Sequence, residues 1–447
     1  MALKERQQRS WRNVTMMGKA KRLQAKMFYV GVNLSERIPR DHPLRRIKQL
    51  VDFGFVRRRV AGCYGYNGNE SVDPALLLKL MFLLFYEGVR SERELMRTLG
   101  YRLDWMWFCD LDLDEAIPDH SVLSKARRRW GLKVFEEVFA EILRLCVQEG
   151  LVDGKTAYVD STLLQANASV DSRIPRKLWE QMEGVLEGED TPRRVQEPSE
   201  RSDRTPPPDQ DTQAQELPPA PKGKFNARTV STTDPDSATT SRRGHKVVLG
   251  YRDHSLVDGR RGVVVATVAT AADYDDGAML ETLLDKQEQY TSGTPKRVVG
   301  DSAYGTRQNV ERMRSRGITP YLKRRASKTD RRRWLERMPE ECDPAVAREL
   351  MRRRLHTAEG RFAEAHVRYN HRRCRWRRRW RVQIQCYLVG IAQNLGKLLR
   401  WARRPGRPAT TTALLESLFA GSACLWGLLR RRRPTTDALL DPCPATT

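Results

Sequence analysis

GHKVVLGYRDHSLVDGRRGVVVATVATAA, residues 244–272, holds two β-rich runs that meet at Asp258-Gly259, with Arg260, Arg261 and Gly262 close by. An Asp-Gly step between two such runs signals a hairpin, because both residue types tolerate the positive φ of a tight turn. Upstream, TAYVDSTLLQANA (156–168) is extended in character. Downstream, a helix is expected from Asp276 to about Gln289, and KRVVGDSAYG (296–305) reads as a short buried strand ending on Asp301. QNVERMRSRG (308–317) then forms a helix stopped by Gly317, ITPYLKR (318–324) one more strand, and LHTAEGRFAEAH (355–366) lies in a further helical stretch.

An interruption at about 171–240 separates the first strand from the hairpin, with PPPDQ, LPPAPKGK and many Ser, Thr, Glu and Asp residues. Such a composition buries too little apolar surface to offset its ordering entropy, so residues 185–235 are expected to be largely disordered. Without it the order is strand, strand, strand, helix, strand, helix, strand, helix. This predicts an α/β domain with a mixed sheet flanked by helices, and it is the element order of the RNase H-like fold.

In that order Asp160 falls on the first strand, Asp301 at the end of the fourth, and Glu359 on the helix after the fifth. Phosphodiester hydrolysis or transesterification assisted by two magnesium ions needs hard oxygen ligands that hold the metals roughly 3.5–4 Å apart. Carboxylates on neighbouring strands and a facing helix supply them. An acid within an apolar strand is costly to bury unpaired, and metal binding removes that cost. For any one acid a cap or surface ion pair is the blander reading; the three in this order argue against it. Asp276 is expected to cap a helix rather than ligate metal, and Asp258, Asp273 and Asp275 to serve turns.

Before the first strand the pattern is all-helical. Asp73 and Pro74 open an almost wholly apolar helix, PALLLKLMFLLFYEGV (74–89). Ser91 and Glu94 form a capping box for SERELMRTL (91–99), with Gly100 as its left-handed stop. PDHSVLSKARRRWG (118–131) and the amphipathic LKVFEEVFAEILRLCVQEG (132–150) follow. The expected organisation is a basic arm (1–25), a helical DNA-binding domain (26–150), an RNase H-like catalytic domain (151–402) and a basic tail (403–447).

Lysine and arginine total 81 against 56 acidic residues, a formal charge of +25 with pI near 10.0, which favours a polyanionic partner such as DNA or RNA. Eight scattered cysteines without a CxxC pair, and no signal-peptide pattern, point to a reducing cytoplasm and away from zinc. The longest apolar stretches are too short or too interrupted to span a membrane, so a soluble protein is expected. The densest basic tract is RYNHRRCRWRRRWR (368–381). On a helix its Trp376 and Trp380 would face the core together, leaving Arg372, Arg373, Arg375, Arg377, Arg378 and Arg379 for phosphate. The helix bearing Lys125, Arg128 and Arg129 is a second candidate DNA contact.

The chain resembles bacterial insertion-sequence transposases of the DDE class. The resemblance is carried by DPALLLKLMFLLFYEGVRSERELMRTLG, IPDHSVLSKARRRWG, YVDSTLLQANAS, HKVVLGYRDHSLVD, VATAADYDDGAML, VVGDSAYGT, RRRLHTAEGRFAEAHVRYNHRR and QIQCYLVGIAQNLGKLLR, together spanning most of residues 30–400. It implies a metal-binding triad at Asp160, Asp301 and Glu359 that takes Mg²⁺, with Mn²⁺ as a substitute. It implies a phosphate-binding role for Arg354, and a packing role for Phe362. His366 stands where the family has lysine and is expected to contact DNA by donating to a phosphate, though mostly neutral at pH 7, and Gly360-Arg361 replaces the family's commoner pair. Double-stranded DNA, both element ends and target, is the implied partner, bound by a homodimer or larger assembly. A non-catalytic DNA-binding derivative, or a metal-dependent nuclease without strand transfer, are the alternatives.

Overall fold

The computed structural model describes residues 17–18, 33–65, 70–188, 224–240, 247–291, 293–324 and 334–402. The expected basic arm (apart from 17–18), the middle of the insert and the tail from 403 lie outside the described residues.

The sheet is built around Thr156–Gln165 (β1). Val248–Asp258 (β5) lies antiparallel to it, and Val264–Ala271 (β6) continues antiparallel on β5 through the Asp258-Gly259 turn. On the other side of β1, Arg297–Gly300 (β7) and Thr319–Leu322 (β8) run parallel to it. In chain order the five long-range strands are thus arranged third, second, first, fourth, fifth, with helices on the faces. This is an RNase H-like sheet, as the element order predicted. Nearly every residue of β5 and β6 is buried, because helices cover both faces.

Two packed layers fix the sheet. Arg379–Ala402, the last helix among the described residues, covers β1, β5 and β6 through Val382 and Cys386 against Leu164, Leu249, Tyr251 and Ala269. Two of its amides also satisfy the free edge of β6. Asn394 accepts from Val264 N (2.8 Å) and donates to Val264 O (2.9 Å), while Gln383 accepts from Ala269 N (2.6 Å) and donates to Thr267 O (3.0 Å). The four backbone groups bonded in this way are withdrawn from pairing with another chain. On the β7 side, Pro344–Arg354 sets Ala347 and Leu350 against Tyr158, Val299 and Tyr321.

The insert departs from expectation at both flanks. Arg173–Pro175 (β2) pairs with Thr229–Ser231 (β3), and Ala238–Thr240 (β4) adds to the edge of β5. Residues 224–235 were expected to lack structure, but composition does not register long-range partners. Asn226 exchanges hydrogen bonds with the backbone of Thr239 (2.9 and 3.0 Å), and Tyr251 donates to Asp234 (2.6 Å).

The helical segment follows its predicted caps. Asp73 accepts from Ala75 N (3.1 Å), opening Pro74–Tyr86. Ser91 accepts from Glu94 N (3.1 Å), opening Glu92–Leu99. Gly100 differs: its φ of −66° is ordinary right-handed backbone, so no left-handed stop forms there. Ser121–Gln148 is broken at Gly131 (φ 69°), where the two predicted helices meet. Its second half docks on the helices that cover the sheet, with Phe139 against Tyr387 (5.4 Å) and Glu136 paired with Lys286 (2.6 Å). No helix among the described residues is long and apolar enough to cross a membrane.

Candidate active site

The parallel register pairs Tyr158 with Val299, so continuing it two places sets Asp160 beside Asp301 just beyond the end of β7. Asp301 is held by the turn that follows, its carboxylate accepting from Ala303 N (2.9 Å). That turn needs Gly305, since a Cβ there would lie 1.9 Å from the carbonyl oxygen of Lys323. Tyr304 is buried under it, and Asn309 ties its carbonyl down (3.0 Å). Glu359 arrives by a different device. Between Pro344–Arg354 and Gly360–Arg368 the helix widens into a π turn, Leu355–Glu359. Residues five apart do not share a face of an α-helix, but they do across a π turn, a distortion that recurs at functional sites. Here it brings Arg354 Nη1 within 3.0 Å of Glu359 Oε1.

Arg354 is the centre of the arrangement. Its Nη2 lies 3.1 Å from Asp160 Oδ2 and 4.0 Å from Asp301 Oδ2, so one guanidinium touches all three predicted acids. Asp160 is the deep member, with a side chain 15% exposed, while Asp301 (43%) and Glu359 (49%) form the open side. Burial pushes Asp160 up to about 6, and the charges of Asp301 and Glu359 add to that against the pull of Arg354. Three hard carboxylate oxygens in one solvent-reachable cluster suit a divalent cation such as Mg²⁺ or Mn²⁺. The buried Nε of Arg354 has no partner, so the arginine is an incomplete substitute for a ligand the acids would share.

Further polar groups lie beneath the three acids. Asp276 does not cap: the helix start is capped by Asp275, which accepts from Gly277 N (3.1 Å). Asp276 is instead paired with Arg252 (2.9 Å) and accepts from the hydroxyl of Ser161 (2.6 Å), steadying the residue after Asp160. Asp253, which sequence reasoning passed over, is fully buried in β5. It is met by Arg361 Nη1 (3.0 Å), His371 Nε2 (3.0 Å) and Thr267 Oγ1 (2.6 Å). Burial alone would raise Asp253, but Arg361, His371 and Thr267 outweigh it and hold the carboxyl below the usual range. Its only sequence signal was an acid inside a strand, between Arg252 and His254.

Asp253, His371 and Cys386 also lie within 4.8 Å of one another, a grouping that resembles a metal site. Arg361 already neutralises Asp253, and burial holds the Cys386 thiol protonated, well above its usual pKa. This cluster reads as the core's ion pair. It also accounts for Arg361, the unfamiliar residue two places after Glu359. Phe362 packs in the core as expected.

His366 Nε2 sits 3.2 Å from Thr162 Oγ1, two residues along β1 from Asp160. Burial, with His371 and the charges of Arg372 and Arg361 nearby, pushes it down to about 4, so it is neutral at physiological pH. The sign of the linked effect on stability follows. An unfolded chain takes up a proton near pH 6.5 that the folded His366 refuses. Stability present above that pH is therefore lost as the pH falls toward about 4. His366→Gln is expected to flatten the acid side of a urea-midpoint profile between pH 7 and 4.5; an unaltered profile would contradict the shift.

The basic tract is only partly where it was expected. Its residues from Tyr369 to Arg378 are not helical. Asn370 (φ 52°) and Arg378 (φ 72°) turn the chain, and Arg373 bridges to Gln165 of β1. Trp376 and Trp380 are both buried, but not as one helical face. Arg375 is lost to DNA: it donates from Nε and Nη2 to Val89 O (3.0 and 2.8 Å) and lies 4.2 Å over the ring of Phe85. Arg127 stacks 3.9 Å over Trp376 from the other side. Both arginines dock the helical segment on the catalytic sheet. Arg379 is half-buried against Asp236, which also pairs with Arg378 (3.4 Å). Arg372, Arg373, Arg377 and Arg378 remain exposed, as do Lys125, Arg128 and Arg129. The contact of Arg127 with Trp376 sets the two predicted basic tracts side by side. Arg372→Ala and Arg373→Ala are expected to weaken DNA binding and each to reduce its log–log salt slope by about 1. Arg375→Ala is expected to lower the unfolding temperature and leave that slope intact. Salt titrations and thermal melts of the three variants separate the roles.

Residues 32–129 match the family model described as Transposase domain (DUF772), and residues 222–395 match the one described as Transposase DDE domain. The chain belongs to the insertion-sequence DDE transposases. The two matches together cover more than half of it, one on the helical segment and the other reaching from the insert's flank through Asp301 and Glu359. No curated protein and no solved structure matches the chain. DDE transposases are nucleotidyl-transfer enzymes that use divalent metals, and this transposase carries its three acids on the elements the sequence order assigned to them.

Proposed function

We propose that this transposase binds the terminal inverted repeats of its own element and catalyses metal-dependent cleavage and strand transfer at Asp160, Asp301 and Glu359. The observation that carries the reading is the convergence of those three carboxylates from β1, the end of β7 and the π turn. Divalent cations held there would activate the attacking oxygen and stabilise the leaving one. The protein's own work is alignment: strands and turn fix the two aspartates, Asp276 steadies Ser161, and His366 supplies a neutral hydrogen-bonding group beside Thr162. Water opens the phosphodiester at each element end and leaves a free 3′-hydroxyl, which then attacks a target phosphodiester in line. The adjoining basic tracts, Lys125, Arg128 and Arg129 with Arg372, Arg373, Arg377 and Arg378, bind the duplex. Pairing of two ends calls for a dimer or larger assembly.

Labelled element-end DNA incubated with the protein, Mg²⁺ or Mn²⁺, and a target plasmid tests this. The expected products are a nicked end and a covalent join between the donor 3′ end and the plasmid. Nicks without joins would make the protein a nuclease, and end binding without either would make it a DNA-binding derivative.

A further inference from the structure

Arg354 was expected to face DNA phosphate, yet it is buried, with a side chain only 9% exposed, and bonded inward. Both terminal nitrogens are engaged with the acids, and Nε has no partner. Three carboxylates brought this close repel one another strongly unless a positive charge sits among them. The sequence places that charge five residues before Glu359, and the π turn makes the spacing productive. The arginine therefore occupies the space in which the acids' ligand must sit.

We infer that Arg354 is a built-in counter-ion for the triad, which holds the three carboxylates together before metal arrives and must be displaced when a divalent cation binds. This rests on the reading of Asp160, Asp301 and Glu359 as the metal ligands. The guanidinium keeps the site assembled and the deep Asp160 compensated, so the protein does not depend on metal to fold. It also competes with the cation, so metal binding is weaker than three carboxylates alone would give. Asp301 and Glu359 lie on the open side and Asp160 on the closed side, so an entering cation meets the two exposed acids first. Arg354 is a positioning residue here, acting through the carboxylates it holds.

Calorimetric titration of the full chain with MnCl₂ in the absence of DNA, with thermal unfolding in EDTA alongside, tests the inference. Arg354→Gln is expected to lower the unfolding temperature in EDTA and to bind Mn²⁺ at least about tenfold more tightly, since a like charge in contact with the site is gone. Arg354→Lys keeps a charge but has a single head that does not span three carboxylates, and its affinity is expected to fall between the two. It serves where the glutamine variant does not fold. Mn²⁺ affinity equal to or below wild type in these variants, with binding still lost in Asp160→Asn, overturns the counter-ion role alone. Unchanged Mn²⁺ binding in Asp160→Asn overturns the triad reading itself, and the inference with it.

Discussion

Asp301→Asn is expected to cut the rate of element-end cleavage about a thousandfold or more while leaving the fold and DNA affinity unchanged. Losing one hard anionic ligand forfeits several kcal/mol of transition-state stabilisation, and each 1.36 kcal/mol is a factor of ten. The asparagine keeps the structural half of the residue's work, because its Oδ1 still accepts from Ala303 N as the aspartate does at 2.9 Å. Asp160→Asn keeps the bond from Ser161 N (2.9 Å) in the same way. Cleavage time courses and salt-dependent binding curves on the same preparations separate the two contributions. Cleavage within tenfold of wild type in either variant would remove that residue from the chemistry.

The second large effect lies outside the triad. Arg361→Met is expected to destabilise the protein by about 3–5 kcal/mol, the usual consequence of stripping one partner from a buried ion pair. Asp253 is fully buried, and the remaining donors, His371, Thr267 and Ser255, are neutral or act on it as dipoles. His371 faces Gln385 through Nδ1 (3.2 Å), which leaves Nε2 as the proton-bearing nitrogen toward Asp253 without a full charge. Adding Asp253→Asn to Arg361→Met is expected to recover much of the loss, because a neutral pair needs no counter-charge. Urea unfolding of both single variants and the double variant gives the coupling. A double variant as unstable as the sum of the singles would contradict the pairing. Since Arg361 follows Glu359 by two residues and also bonds Gln393 (3.0 Å), this pair anchors the helix that presents the third acid.

What the sequence disclosed and what it withheld divide along the range of the interactions. Strand order, hairpin and the positions of Asp160 and Asp301 were legible because each rests on local signals: alternating or continuous apolar runs, an Asp-Gly turn, an acid closing a strand. Glu359 was legible as a position but not as a direction, since nothing in LHTAE announces that the helix widens there. Asp253 was not legible because Arg361 and His371, the partners that compensate it in the core, lie more than a hundred residues away. The arginine tract misled for the same reason. Trp376 and Trp380 have helical spacing, but the chain before Arg379 is held by Gln165, which donates to Arg372 O (3.0 Å) and accepts from Cys374 N (2.8 Å). That pairing turns Arg375 toward the helical segment and leaves its neighbours outward. The insert's flanks were read by composition, which registers apolar content and not the contacts of Asn226 with Thr239 and of Asp234 with Tyr251 that tie residues 224–240 to the sheet.

In the proposed function Asp160, Asp301 and Glu359 share a divalent cation. Anomalous diffraction from crystals of the protein soaked in Mn²⁺ tests it most directly. The predicted result is an anomalous peak about 2.1 Å from a carboxylate oxygen of each of the three acids, with Arg354 withdrawn from them. A peak at Asp253, His371 and Cys386 with the triad still closed on Arg354 would contradict it.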